Sequence, residues 1–136
     1  MKDKYFIDTN VLIYAHNDLD LIKRDKAQAL FEDYLPTIST QVLNEFSNAF
    51  RKKFHVEWSL IRVLLSEISD NTVLYANTLT TVLKATDIAE RYGYSFYDSQ
   101  IIAAAIETDC SILYSEDMQN GHSIDGKLTI VNPFLI

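Results

Sequence analysis

The pattern that most limits how this chain can fold is an alternation of very short apolar runs with much longer helix-like stretches. Tyr5-Phe6-Ile7, Thr37-Ile38-Ser39, Thr72-Val73-Leu74-Tyr75, Ser111-Ile112-Leu113-Tyr114 and Leu128-Thr129-Ile130-Val131 have the β-branched and aromatic content of strands. The first and fourth read as buried on both faces, which is the signature of a parallel sheet. Parallel neighbours need crossovers, and the intervening stretches supply them. The expected fold class is therefore α/β, a three-layer α/β/α sandwich on a mainly parallel central sheet of four or five strands.

The helices can be placed from their periodicity and caps. An apolar run at Val11–Tyr14 starts behind Thr9 or Asn10 as cap, and Lys23 to Leu35 carries Ala27, Leu30, Phe31 and Tyr34 at helical spacing before Pro36. Ser39 or Thr40 can cap a helix through Val42, Phe46 and Phe50, with Arg51-Lys52-Lys53 at its C-terminal end. Further helices are expected over Trp58 to Ile68, over Leu79 to Tyr92 with Gly93 as a left-handed cap, and over Tyr97 to Thr108. The last is apolar nearly all round and belongs in the middle of the molecule. Asn120-Gly121 marks a loop between the fourth and fifth strands.

The length of 136 residues suits one compact domain over residues 1–136, and 48% hydrophobic content excludes a disordered chain. The single Cys110 rules out an internal disulfide framework and fits a reducing, cytoplasmic setting. No apolar run is long enough to span a membrane. The formal net charge of −7 weighs against nucleic acid as a partner, because phosphates are met by Lys and Arg. Two features offset it. Acids that bind divalent cations are neutralised by them, and the basic residues are clustered at Lys23, Arg24 and Lys26 and at Arg51, Lys52 and Lys53.

Four acids stand out by position. Asp8 ends the first strand, where open α/β sheets place ligands. Glu45 is the one charge within a Val-Leu-Asn-Glu-Phe-Ser-Asn-Ala helical run, Asp98 opens the apolar Ile101–Ile106 helix, and Asp117 follows the fourth strand across Ser115-Glu116. Singly, each has a plainer role: helix cap, dipole partner or solvated face. Jointly, two lie at strand C-terminal ends and two on flanking helices, so all four can meet above one sheet edge. Such a cluster repels itself without a cation, and oxygen ligands lacking His or Cys suit Mg²⁺ or Mn²⁺. His16, His55 and His122 have neither metal-ligand spacing nor a Ser or Cys partner, and no catalytic role is assigned to them.

Asp8-Thr9-Asn10 with Val11–Tyr14, Glu45 after Ser39 and Val42-Leu43, Tyr97-Asp98-Ser99, and Tyr114-Ser115-Glu116-Asp117 together resemble the PIN-domain ribonucleases, and within them VapC-type toxins of toxin–antitoxin pairs. The resemblance covers nearly the whole chain. It implies a Mg²⁺-dependent endoribonuclease with Asp8 and Asp98 as principal metal ligands, Glu45 as ligand or orienter of the attacking water, and Asp117 completing the site. It also implies supporting roles for Thr9, Asn10 and Ser115, leaves the role of Glu116 open, and implies as partners a cognate antitoxin protein, a second copy in a homodimer, and an RNA substrate such as a tRNA or rRNA loop. Lys23, Arg24, Lys26, Arg51, Lys52 and Lys53 are the candidates for RNA backbone contacts. Phe54, His55 and Trp58 could stack bases, with core packing the plainer reading of the aromatics.

Other readings fit less well. A haloacid-dehalogenase-like phosphatase needs a second acid where this chain has Asn10, and a receiver-like signalling domain needs paired acids at the first strand and a Lys beside the pocket, whereas Asn132-Pro133 follows the last strand. A PIN fold kept only as an RNA- or protein-binding module would have no reason to keep four acids.

Overall fold

The computed structural model describes residues 3–135. Its strands are β1 (Tyr5–Ile7), β2 (Thr37–Ser39), β3 (Val73–Tyr75), β4 (Ile112–Tyr114), β5 (Ser123–Ile124) and β6 (Leu128–Val131). Its helices are α1 (Thr9–Ala15), α2 (Leu21–Ala29), α3 (Thr40–Lys52), α4 (Trp58–Asp70), α5 (Leu79–Tyr92) and α6 (Phe96–Glu107). The strands form one sheet in the order β3-β2-β1-β4-β6-β5, parallel throughout except for the antiparallel β5–β6 edge. With helices on both faces this is the α/β/α sandwich expected from the alternation.

The order makes the join between β1 and β4 the topological switch point, since the chain leaves β1 towards β2 and β3 on one side and comes back into β4 on the other. Register there is Tyr5 to Ile112, Phe6 to Leu113 and Ile7 to Tyr114. Phe6, Ile7 and Leu113 are fully buried, so both strands read as continuous apolar runs because both faces are covered. The crevice beyond such a join is where ligands of open α/β sheets bind.

The α6 helix earns its central place by composition. Ile101 through Ile106 are all buried, and α6 packs on α5 and against the sheet. Its neighbour α5 ends where Gly93, at φ 78°, turns left-handed and donates its N–H to the Ala89 carbonyl. On α3, Phe46 and Phe50 stack at 4.2 Å between centroids, and Phe54 meets Phe50 edge-on at 5.2 Å. Phe54 thus belongs to the core margin, as core packing implied.

Three expectations need correction. The sheet has six strands, not four or five. The added strand β5 is only two residues long, too short to register as an apolar run, but its turn was legible: Asp125 and Gly126 both have positive φ, 53° and 66°, as the tight hairpin turn favoured by Asp-Gly requires. The cap of α1 is neither Thr9 nor Asn10 but Asp8 itself. The helix expected over Lys23 to Leu35 spans Leu21–Ala29 and stops well before Pro36. There the Tyr5 hydroxyl donates to the carbonyls of Leu30 and Tyr34, and that tertiary bonding replaces a further helical turn. No helix among the described residues is long and apolar enough to cross a membrane.

Candidate active site

Asp8 occupies the switch point. Its backbone N–H donates to the Tyr114 carbonyl of β4 at 2.9 Å, so the strand ladder carries on to the residue itself. The side chain is 6% exposed. One carboxylate oxygen accepts from the Thr9 N–H at 2.7 Å and the other from the Ser115 hydroxyl at 2.8 Å. Despite those two donors, burial foremost, and then the negative charges of Asp98 and Glu45, push its pKa up to about 7. A carboxylate so placed is held in position but under-compensated in charge.

The other acids reach the same place from other elements. Glu45, half-buried on α3, accepts a 2.6 Å hydrogen bond from the Thr9 hydroxyl. Asp98 stands in the first turn of α6, where its N–H caps onto the Ser95 hydroxyl at 3.1 Å. Its pKa is also raised, first by burial and then by the charge of Asp117. Asp117 is exposed and accepts from the Asn10 amide at 2.8 Å. Glu45, Asp8, Asp98 and Asp117 thus form a chain in which Asp8 feels the charges of Glu45 and Asp98, and Asp98 that of Asp117. The links among the four acids singled out in the sequence are pairwise, Asp8 with Glu45 and Asp98, and Asp98 with Asp117.

Helix α1 organises the loop after β4 residue by residue. Ser115 bonds Asp8, Glu116 accepts from the Tyr14 hydroxyl at 2.8 Å, and Asp117 bonds Asn10. Asn10 and Tyr14 are one helical turn apart, so they grip consecutive residues of the loop. Glu116 is further paired with the Lys23 ammonium of α2, which also lies 4.9 Å from the Tyr14 ring centroid. The sequence left the role of Glu116 open; its carboxylate is committed to Lys23 and Tyr14, and Lys23 is committed to Glu116. Arg24, in turn, pairs with Asp18 and Asp25.

Sequence reasoning named Asn10 but missed the parts played by Tyr14 and Ser99. The Asn10 Oδ1 and the Ser99 hydroxyl beside Asp98 are buried and have no hydrogen-bond partner among the described residues. Ser99 directly follows Asp98 and lies in the polar first turns of α6, before the apolar run from Ile101, so no local signal set it apart. The expected consequence is a contrast. Asn10→Ala should lower the site's activity about 10–100-fold, as loss of an outer-shell partner does. Glu116→Gln should change it little, a split that single-turnover kinetics would reveal.

Every donor at the site is oxygen, from carboxylates, an amide and hydroxyls, the kind that hard divalent cations take. Among the described residues, no three His, Cys, Asp or Glu side chains are placed together to hold a metal ion. An ion here would be held by one or two carboxylates with water in the remaining positions, which is the habit of Mg²⁺.

The PIN domain family model matches residues 5–119, from the first residue of β1 through the loop that carries Asp117. The chain belongs to the PIN domain family. Three solved structures share its architecture at low identity. Mycobacterium tuberculosis VapC20, described as a sarcin-ricin loop cleaving toxin, superposes with a TM-score of 0.70 at 18% identity, over 84% of this chain and 90% of its own. A toxin–antitoxin complex from Klebsiella pneumoniae gives 0.71 at 20% identity over 98% and 99%. VapBC2 from Rickettsia felis, bound to a DNA fragment from its promoter, gives 0.67 at 17% over 93% and 96%. Among curated proteins no sequence matches the chain. At these identities the neighbours establish the fold.

Proposed function

We propose that this PIN domain is a metal-dependent endoribonuclease that hydrolyses RNA phosphodiester bonds, and that it serves as the toxin of a toxin–antitoxin pair in the cytoplasm. The observation that carries the reading is the buried Asp8 carboxylate. It is fixed by Thr9 and Ser115 at the sheet's switch point, and its charge is opposed by Asp98 and Glu45. A protein gains nothing in stability from such a cluster, whereas a cation bound there turns the repulsion into attraction.

Asp8 and Asp98 would be the principal ligands for Mg²⁺ or Mn²⁺, and Asp117 would complete the site through bound water or hold a second ion. A bound ion of this type acidifies water and neutralises charge on a phosphoryl group. Glu45 has one oxygen tied to the Thr9 hydroxyl and so can present the other to orient and deprotonate the attacking water. Asn10 and Ser115 hold Asp117 and Asp8 at fixed angles. The substrate is an RNA loop, in keeping with the description of VapC20 as cleaving the sarcin-ricin loop. The regulators are a cognate antitoxin protein and a second copy in a homodimer.

The test is incubation of total bacterial RNA with purified protein free of antitoxin, in Mg²⁺ or Mn²⁺ and in EDTA. Discrete fragments that require the ion are expected. Folded protein that leaves RNA intact under every metal condition would instead favour a PIN fold used only for binding.

A further inference from the structure

The basic residues of this acidic chain are not equivalent in the folded protein. Among the described residues Lys23, Arg24 and Arg91 are consumed by ion pairs, and the Lys4 ammonium is bound to the Thr108 carbonyl. Arg51, Lys52, Lys53 and Arg62 make no ion pair among the described residues, and they gather at one place, the corner from α3 into α4. Lys84, on α5 with Asp125 within reach of its charge, and Lys127, in the turn before β6, lie elsewhere. Glu57, the acid at this corner, caps α4 through its backbone alone.

The corner is built, not loose. The Val56 N–H donates to the Phe50 carbonyl and the Lys53 N–H to Ala49, while Phe50 and Phe54 anchor it to the core. His55 takes a left-handed φ of 55°, a conformation that a non-glycine residue adopts at a cost of about 1 kcal/mol or more. Folded this way, the corner lays the Arg51 guanidinium over the Trp58 ring, 5.5 Å from its centroid. Trp58 is nevertheless 51% exposed, so the indole has surface to spare, and Arg62 follows it one turn along α4. Lys52 lies seven residues beyond Glu45 on the same face of α3, about 10 Å along the axis.

Resting on the ribonuclease reading, we propose that this corner is the subsite for the unpaired part of the RNA. A base stacks on Trp58 beside Arg51, and Lys52, Lys53 and Arg62 take the flanking phosphates of a strand whose scissile bond lies at the acids. An exposed indole with a guanidinium against it is the platform single-stranded nucleic acids use, and unpaired lysines supply the electrostatic part. Neither element needs the α2 cluster at Lys23 and Arg24, which the ion pairs have withdrawn.

Trp58 is the only tryptophan, so its emission reports this corner alone. In EDTA, the full chain is titrated with a purine-loop stem-loop RNA, with the blunt duplex of the same stem, and with polyglutamate. Trp58 fluorescence and the anisotropy of labelled RNA are followed together. The loop RNA should quench Trp58 saturably and the duplex should not. Arg51→Gln or Trp58→Ala should weaken loop binding on the order of tenfold. Lys52→Gln with Lys53→Gln, both at exposed positions, should lower the slope of log affinity against log salt by about 0.7 per lost contact. Binding by anisotropy with Trp58 unquenched and Arg51→Gln unaffected would overturn this subsite and leave the ribonuclease reading standing. No binding of RNA at all would overturn this subsite, while the ribonuclease reading stands or falls by the metal-dependent cleavage assay. Quenching by polyglutamate and not by RNA would assign the corner to an acidic protein partner and overturn the proposal.

Discussion

Asp8→Asn is expected to lower RNA cleavage by at least about 100-fold while making the metal-free protein more stable. Loss of an outer-shell partner of a metal site typically costs about 10–100-fold, and Asp8 is placed to be a ligand. The stability gain comes from the same burial. At neutral pH the wild-type carboxylate is half-ionised in a buried position, facing the charges of Asp98 and Glu45. An amide of the same shape keeps an oxygen for the Thr9 N–H and a polar group for the Ser115 hydroxyl, but carries no charge to desolvate. A gain of about 1–3 kcal/mol would raise the melting temperature of a chain this size by several degrees. Cleavage assays and thermal melts in EDTA on the two proteins test both halves. Wild-type cleavage by the variant would remove Asp8 from the site. A lower melting temperature would show that Asp8 serves the fold as a cap and is not held there at a cost.

That opposition between function and stability explains how much of the molecule was legible beforehand. Tyr5-Phe6-Ile7 and Ile112-Leu113-Tyr114 announced themselves because strands buried on both faces cannot afford polar residues, and α6 did so through Ile101 to Ile106. The four acids could be picked out by where they fall, two at strand ends and two on flanking helices. What sequence could not supply was direction. Nothing local tells whether Glu116 or Asp117 turns inwards. That choice is made by α1, where Asn10 reaches Asp117 and Tyr14 reaches Glu116, and by Lys23 arriving from α2. The same limit applies to the basic clusters: Lys23-Arg24 and Arg51-Lys52-Lys53 look alike in sequence, and only tertiary ion pairing separates them. The end of α2 was likewise set by a distant hydroxyl, that of Tyr5, and not by Pro36.

In EDTA, the wild-type protein is expected to lose stability as the pH rises from about 5 to about 8, contrary to the usual behaviour of an acid that is ion-paired when folded. The sign follows from the direction of the shift. Asp8 titrates near 7 in the folded chain against an ordinary 3.8, so between those values the folded state holds a proton that the unfolded state has released. Stability then falls with pH across that interval and levels off above it, by an amount on the order of a few kcal/mol. Asp98, raised for the same first reason, acts in the same direction. Asp125 does the reverse, since hydrogen bonds from Arg91 lower it to about 2, but its contribution is lost only in acid below the ordinary carboxylate range. On the proposed reading Mg²⁺ should flatten or invert the slope, because ionised Asp8 and Asp98 would be its ligands and protons would compete with it for them. Denaturant melts at several pH values, with and without Mg²⁺, and repeated on Asp8→Asn, isolate the effect. If the variant's pH profile in EDTA matches the wild type's, Asp8 is not the group that titrates. If Mg²⁺ shifts neither protein, the repulsion among these acids has another purpose than holding a cation.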